Sequence, residues 1–132
     1  MMLPIQLNDM PRGSGKSTKA AMMVRNSKTK SILLVPTMQM KRFHIQYRPM
    51  IEPMIFTFDE FLKPDFLMGV HGISKVVIDE GLGQGQIEKI MFGILYKCGM
   101  YHMTVEIFGT SEREGYNDDY FTRKKSQEKH AL

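Results

Sequence analysis

The sequence holds one cysteine, Cys98, so neither an internal disulfide nor a cysteine-built metal site can form. A solitary cysteine reads as a reduced, buried residue of a cytoplasmic protein. No apolar run approaches the roughly 18 residues of a membrane-spanning helix, so no membrane association is expected. No charged segment followed by a long apolar stretch marks a secretory leader, and the expected compartment is the cytoplasm. His44, His71, His102 and His130 are scattered without metal-ligand spacing and read as structural or surface residues. Acids are nearly missing from the first part of the chain. Residues 1–50 carry nine Lys/Arg against Asp9 alone, a formal +8, whereas residues 51–132 carry nine against thirteen acids, a formal −4. A basic first half suits a polyanionic ligand, either nucleotide phosphates or a nucleic-acid backbone.

What is present suits one domain. The 132 residues can bury one modest core, and the thirteen methionines read as gap-fillers within it. Residues 3–8 alternate apolar and polar and predict a first strand, with Pro4 at its beginning. Residues 9–15 read as a loop, and a helix runs from Lys16 and stops near Asn26–Lys30. Ser31–Pro36 predicts a buried strand, Thr37 caps a helix to Tyr47, and residues 53–57 predict a third strand. Asp59 opens a short helical turn, and residues 63–73 read as irregular. Lys75–Glu80 is a strand ending in two acids, followed by a glycine-rich connection. Ile87, Ile90, Met91, Ile94 and Leu95 recur at helical spacing, and residues 104–109 predict the last strand. Strands alternating with helices predict an α/β domain over 1–111 with a mainly parallel sheet. Residues 112–132 predict a polar arm or tail.

The strongest signal is Met10-Pro11-Arg12-Gly13-Ser14-Gly15-Lys16-Ser17. It matches G-x-x-x-x-G-K-[ST] except at the first position, where Met10 stands for glycine. Gly13 and Gly15 let the backbone curl so that N–H groups face phosphate oxygens. A helix starting at Lys16 adds its positive end. Lys16 can reach the β- and γ-phosphates, and the Ser17 hydroxyl can ligate Mg²⁺. Asp79 and Glu80 close an apolar strand, where acids lie beside a phosphate loop in a doubly wound sheet. Asp79 would hold Mg²⁺, and Glu80 would take a proton from the attacking water. Thr110 and Ser111 end the last strand in hydroxyls that could contact the γ-phosphate. Phe56, Phe58 and Phe61 read as core residues, and Lys41, Arg42 and Arg48 as cations able to follow a phosphate backbone.

In order, Arg-Gly-Ser-Gly-Lys-Ser-Thr, Leu-Leu-Val-Pro-Thr, Ile-Phe-Thr-Phe-Asp-Glu-Phe-Leu, Val-Val-Ile-Asp-Glu and Phe-Gly-Thr-Ser resemble the first ATPase core of superfamily 1 and 2 helicases. The Pro-Arg-Gly-Ser-Gly-Lys-Ser opening also resembles phage terminase ATPases. Both belong to the P-loop class with an additional strand and a catalytic glutamate. The resemblance implies a minimal RecA-like core that binds ATP and Mg²⁺. It implies nucleotide contacts from Arg12, Gly13, Ser14, Gly15, Lys16, Ser17 and Thr18, with Ser17 and Asp79 on the metal. It implies Glu80 as base, aided by Lys16, Arg12, Thr110 and Ser111, and nucleic-acid contacts near Pro36-Thr37 and Thr57-Phe58. DNA is the implied partner, and the host cytoplasm the implied compartment of a phage-encoded chain. The length leaves no room for a second RecA-like or nuclease domain. A homo-oligomer or partner protein is therefore expected to supply an arginine finger, for which Arg113 is a candidate. The alternative is a nucleotide-dependent binding or regulatory module with little hydrolysis. A small-molecule kinase lacks its Arg-rich lid between residues 63 and 103. A GTPase lacks its Asn-Lys-x-Asp motif.

Overall fold

The computed structural model describes residues 5–82 and 85–110. Five strands form one sheet: β1 (Ile5–Asp9), β2 (Ser31–Val35), β3 (Ile55–Thr57), β4 (Lys75–Asp79) and β5 (Thr104–Gly109). Their spatial order is β1-β5-β4-β2-β3, and every pairing is parallel. The helices are α1 (Lys16–Arg25), α2 (Met38–Tyr47), α3 (Phe58–Phe61), α4 (Phe66–Gly69) and α5 (Gln86–Met100).

Alternation along the strands sends side chains to two cores. Leu33, Val35, Ile55, Val77 and Phe108 face Ala20, Ala21 and Val24 of α1. Ile32, Leu34, Val76, Ile78, Val105 and Ile107 face Phe58, Phe61 and Phe66 of α3 and α4, and Met91, Ile94 and Cys98 of α5. All five residues of β2 are buried, as a parallel strand covered on both faces requires. β1 is an edge strand, which leaves Ile5 and Leu7 exposed.

Several expectations shift locally. The third strand begins only at Ile55, because a 3-10 helix occupies Pro49–Met54. Pro49 fits the first helical position, and Pro53 has no N–H to give a ladder. The helical turn after β3 starts one residue before Asp59. Thr57 is its N-cap in a capping box, accepting from the Glu60 N–H while Glu60 accepts from the Thr57 N–H. A short helix, α4, interrupts the stretch read as irregular. Phe66 draws it in by packing edge-on against Phe56 and Phe61.

Two outcomes follow from this packing. Lys41 pairs with Glu60 at 3.1 Å. Partial burial opposes ionisation of Glu60, but the Thr57 hydrogen bonds and Lys41 outweigh it and hold the carboxyl below its ordinary 4.5. A depressed carboxyl stabilises the fold above the unfolded value and loses that contribution as pH falls through the folded one. The stability gap between wild type and Glu60→Gln should therefore close as pH drops below 4.5, read from urea midpoints across acidic pH. Burial pushes the Cys98 thiol up to about 12, against a small opposing pull from Lys97. Native protein should therefore react with a thiol reagent such as dithionitrobenzoate only as fast as it unfolds. Labelling that outpaces unfolding would contradict the packing of α5.

Candidate active site

The sheet topology decides where the site lies. β1 leads through α1 across one face to β2, whereas β4 leads through α5 across the other face to β5. The connections leaving the carboxyl ends of β1 and β4 therefore diverge, with β5 between them. Ligands of α/β sheets bind beyond the carboxyl ends of the strands, where both connections begin.

One wall is the loop between β1 and α1. Its start is pinned to β5: the Met10 N–H donates to the Gly109 carbonyl at 2.8 Å, and the Thr110 hydroxyl donates to the Met10 carbonyl. Ser14 closes a turn by donating its N–H and its hydroxyl to the Pro11 carbonyl, at 3.2 and 2.6 Å. Gly13 and Gly15 adopt φ of 77° and 83°, a left-handed backbone that costs other residues about 1–2 kcal/mol. A Cβ at either would meet nothing within 4 Å, so open space lies over the loop at both. Helix α1 starts after Gly15 with no side-chain cap and no acid in its first turn. Its leading N–H groups therefore have no side-chain acceptor at the helix's positive end, a local anion site.

The other wall is the end of β4. Glu80 has φ 64°, a strained position for a residue bearing a Cβ. That turn brings its carboxylate to the loop, and Glu80 Oε2 lies 2.8 Å from Lys16 Nζ. The next residue must be small. A Cβ on Gly81 would come within 2.7 Å of Ile78 Cγ2 and 2.8 Å of Ile107 Cγ2. The Gly81 N–H donates to the Phe108 carbonyl at 2.9 Å, which locks the turn onto β5.

Asp79 behaves differently from its neighbour. It is fully buried, and its Oδ2 lies 3.0 Å from Nε2 of the equally buried His44 on α2. Among the described residues its Oδ1 is buried with no hydrogen-bond partner, an omission that costs about 1–3 kcal/mol in a protein interior. Arg48, at the end of α2, donates to Thr18 Oγ1 at 2.7 Å and approaches His44 Nδ1 at 3.4 Å.

No protein-family model, curated protein or solved structure matches this chain.

Of the residues singled out from the sequence, Lys16 and Glu80 meet directly, and Asp79 lies one residue behind them. Arg12 stands exposed on the loop, and Ser17 is half-buried in the first turn of α1. The Thr18 hydroxyl is taken by Arg48, and the Thr110 hydroxyl ties β5 to the loop. Ser111 and Arg113 lie outside the described residues, as does the arm over 112–132. Of the three cations read as able to follow a phosphate backbone, Lys41 is held by Glu60 and Arg48 by α1, while Arg42 is exposed. Thr57 and Phe58 are buried, Thr57 as the cap of α3 and Phe58 in the core. The Thr37 hydroxyl caps α2 by accepting from the Met40 N–H. His44, read from the sequence as a structural or surface residue, is buried, and its pairing with Asp79 had no cue in the sequence.

Proposed function

We propose that this chain is a Mg²⁺-dependent ATPase of the P-loop type whose hydrolysis is coupled to nucleic acid. The observation that carries the proposal is the Lys16–Glu80 contact at 2.8 Å. It joins the cation best placed to hold phosphate to the carboxylate best placed to accept a proton, across the strand that separates β1 from β4. Gly13, Gly15 and the uncapped start of α1 form the phosphate cradle, and exposed Arg12 lies on the same loop.

Among the described residues, no three His, Cys, Asp or Glu side chains gather into a metal-holding group. Nucleotide-bound Mg²⁺ needs no such group, since it draws ligands from phosphates and water and needs one or two from protein. Ser17 and Asp79, with its orphaned Oδ1, suit that donor set. Bound there, Mg²⁺ would neutralise phosphate charge that builds up during transfer. Phosphate oxygens would compete with Glu80 for Lys16. Once released, the Glu80 carboxylate can orient a water and accept its proton.

Coupling to nucleic acid, with DNA the favoured polymer, rests on the basic first half of the chain. It is also supported by exposed Arg42 beside Phe43 and Tyr47, whose rings lie 4.9 Å apart on the surface of α2. Full activity would need a second copy or a partner to supply an arginine finger, an addition worth about 10³–10⁵ in rate elsewhere. The absence of any helix long and apolar enough to cross a membrane, among the described residues, is compatible with this setting.

The test is ATP turnover at rising protein concentration, with no polynucleotide, with single-stranded DNA and with duplex DNA. The expected result is slow basal turnover that rises with concentration and with one of the two polymers. The second reading is a nucleotide-dependent binding module, in which Glu80 stays engaged with Lys16 and does not act as a base. Tight ATP binding with no turnover under any of these conditions would select it.

A further inference from the structure

The helicase-like segments and the paired acids leave one arrangement unused: a polar chain linking three elements behind the site. Thr18 of α1, Arg48 and His44 of α2, and Asp79 of β4 follow one another at 2.7, 3.4 and 3.0 Å. The direction of these contacts is set by their chemistry. A guanidinium only donates, so Arg48 fixes His44 Nδ1 as an acceptor. The ring proton then sits on Nε2 and is donated to Asp79 Oδ2. One carboxylate oxygen is thereby occupied. The other, Oδ1, is left buried without a partner among the described residues.

Building on the ATPase reading above, the geometry points to His44 as a positioning residue that aims Asp79 Oδ1 at the metal, with Arg48 holding the imidazole in place. His44 touches neither nucleotide nor metal in this role. It fixes which carboxylate oxygen is free and prevents rotation about the Asp79 Cβ–Cγ bond. Arg48 adds a second function, because the side chain that orients His44 also grips Thr18, two residues beyond the phosphate-binding Lys16. The phosphate helix and the metal-holding strand are thus kept in register by side chains from a third element. Partners that orient a ligand in this way commonly change metal affinity about 10–100-fold when removed.

The experiment measures Mn²⁺ affinity, by electron paramagnetic resonance, for the full chain with and without ATP. The variants are His44→Leu, His44→Gln and Arg48→Met, with thermal unfolding followed in parallel. The expected result is that ATP raises Mn²⁺ affinity in wild type and that His44→Leu loses about 10–100-fold of it. His44→Gln, whose amide can still donate to Asp79, should recover most of that loss, and Arg48→Met should fall between. Binding of ATP in the presence of a chelator should be unchanged in the two His44 variants, because His44 makes no contact with the loop. Should His44→Leu fail to fold, Arg48→Met decides alone. A purely structural role would lower the unfolding temperature and leave Mn²⁺ affinity at the wild-type value, which would overturn the inference. Wild type that gains no Mn²⁺ affinity from ATP would instead overturn the ATPase reading on which it rests.

Discussion

If the proposed ATPase reading holds, replacing Glu80 with Gln is expected to lower ATP turnover by about 10²–10⁴-fold, the usual contribution of a positioned base, without weakening nucleotide binding. The amide has the size of the carboxylate and keeps the same demand on the backbone at φ 64°, so the turn after β4 should persist. What it loses is the ability to take a proton and the negative charge that holds Lys16 at 2.8 Å. In the proposed ATPase, phosphate and Glu80 would compete for the same ammonium group, so ATP affinity should hold or rise. Single-turnover hydrolysis together with equilibrium binding of a fluorescent ATP analogue separates the two effects. Turnover within about threefold of wild type would remove Glu80 from the chemistry, since even a weakly contributing base is worth more than that. Loss of binding alongside turnover would point instead to a collapsed loop.

The second large effect falls on stability. Leu33 sits in the middle of β2, is fully buried, and packs with Val77 and Ile55 beneath α1. Its strand is paired on both sides, by β4 and by β3. Truncation to Ala removes a side chain from a place that cannot easily collapse, so about 2–5 kcal/mol of unfolding free energy should be lost. In a small domain this is a large share of the total, which for native proteins is about 5–15 kcal/mol. Urea unfolding measures it directly. A loss below about 1 kcal/mol, smaller than any ordinary Leu→Ala cost in a core, would mean that α1 does not cover the sheet as described.

Much of the fold was legible because its cues are local. The short apolar run at 31–35, closed by Pro36, read as a buried strand, and the spacing from Ile87 to Leu95 read as an amphipathic helix. The short elements were harder. The 3-10 helix at Pro49–Met54 and the turn at Phe66–Gly69 are each too short to show a period, and tertiary contacts of Ile51 and Phe66 hold them. The site divides in the same way. Gly13, Gly15 and Lys16 were recognisable because loop curvature and helix start depend on adjacent residues. His44 was not, because nothing within four residues of it says that it meets a carboxylate thirty-five positions away.

By itself, the order of residues determined the glycine-rich turn, the helix opening at Lys16, the acid pair closing a strand and the alternation that yields an α/β domain. These follow from backbone sterics and side-chain periodicity, forces that act over a few residues. The tertiary structure alone decided that β5 slots between β1 and β4, that Glu80 turns toward Lys16 while Asp79 turns inward to His44, and that Arg48 closes a link to Thr18. Those outcomes depend on which apolar faces bury one another across the whole sheet, a competition no short window of sequence contains.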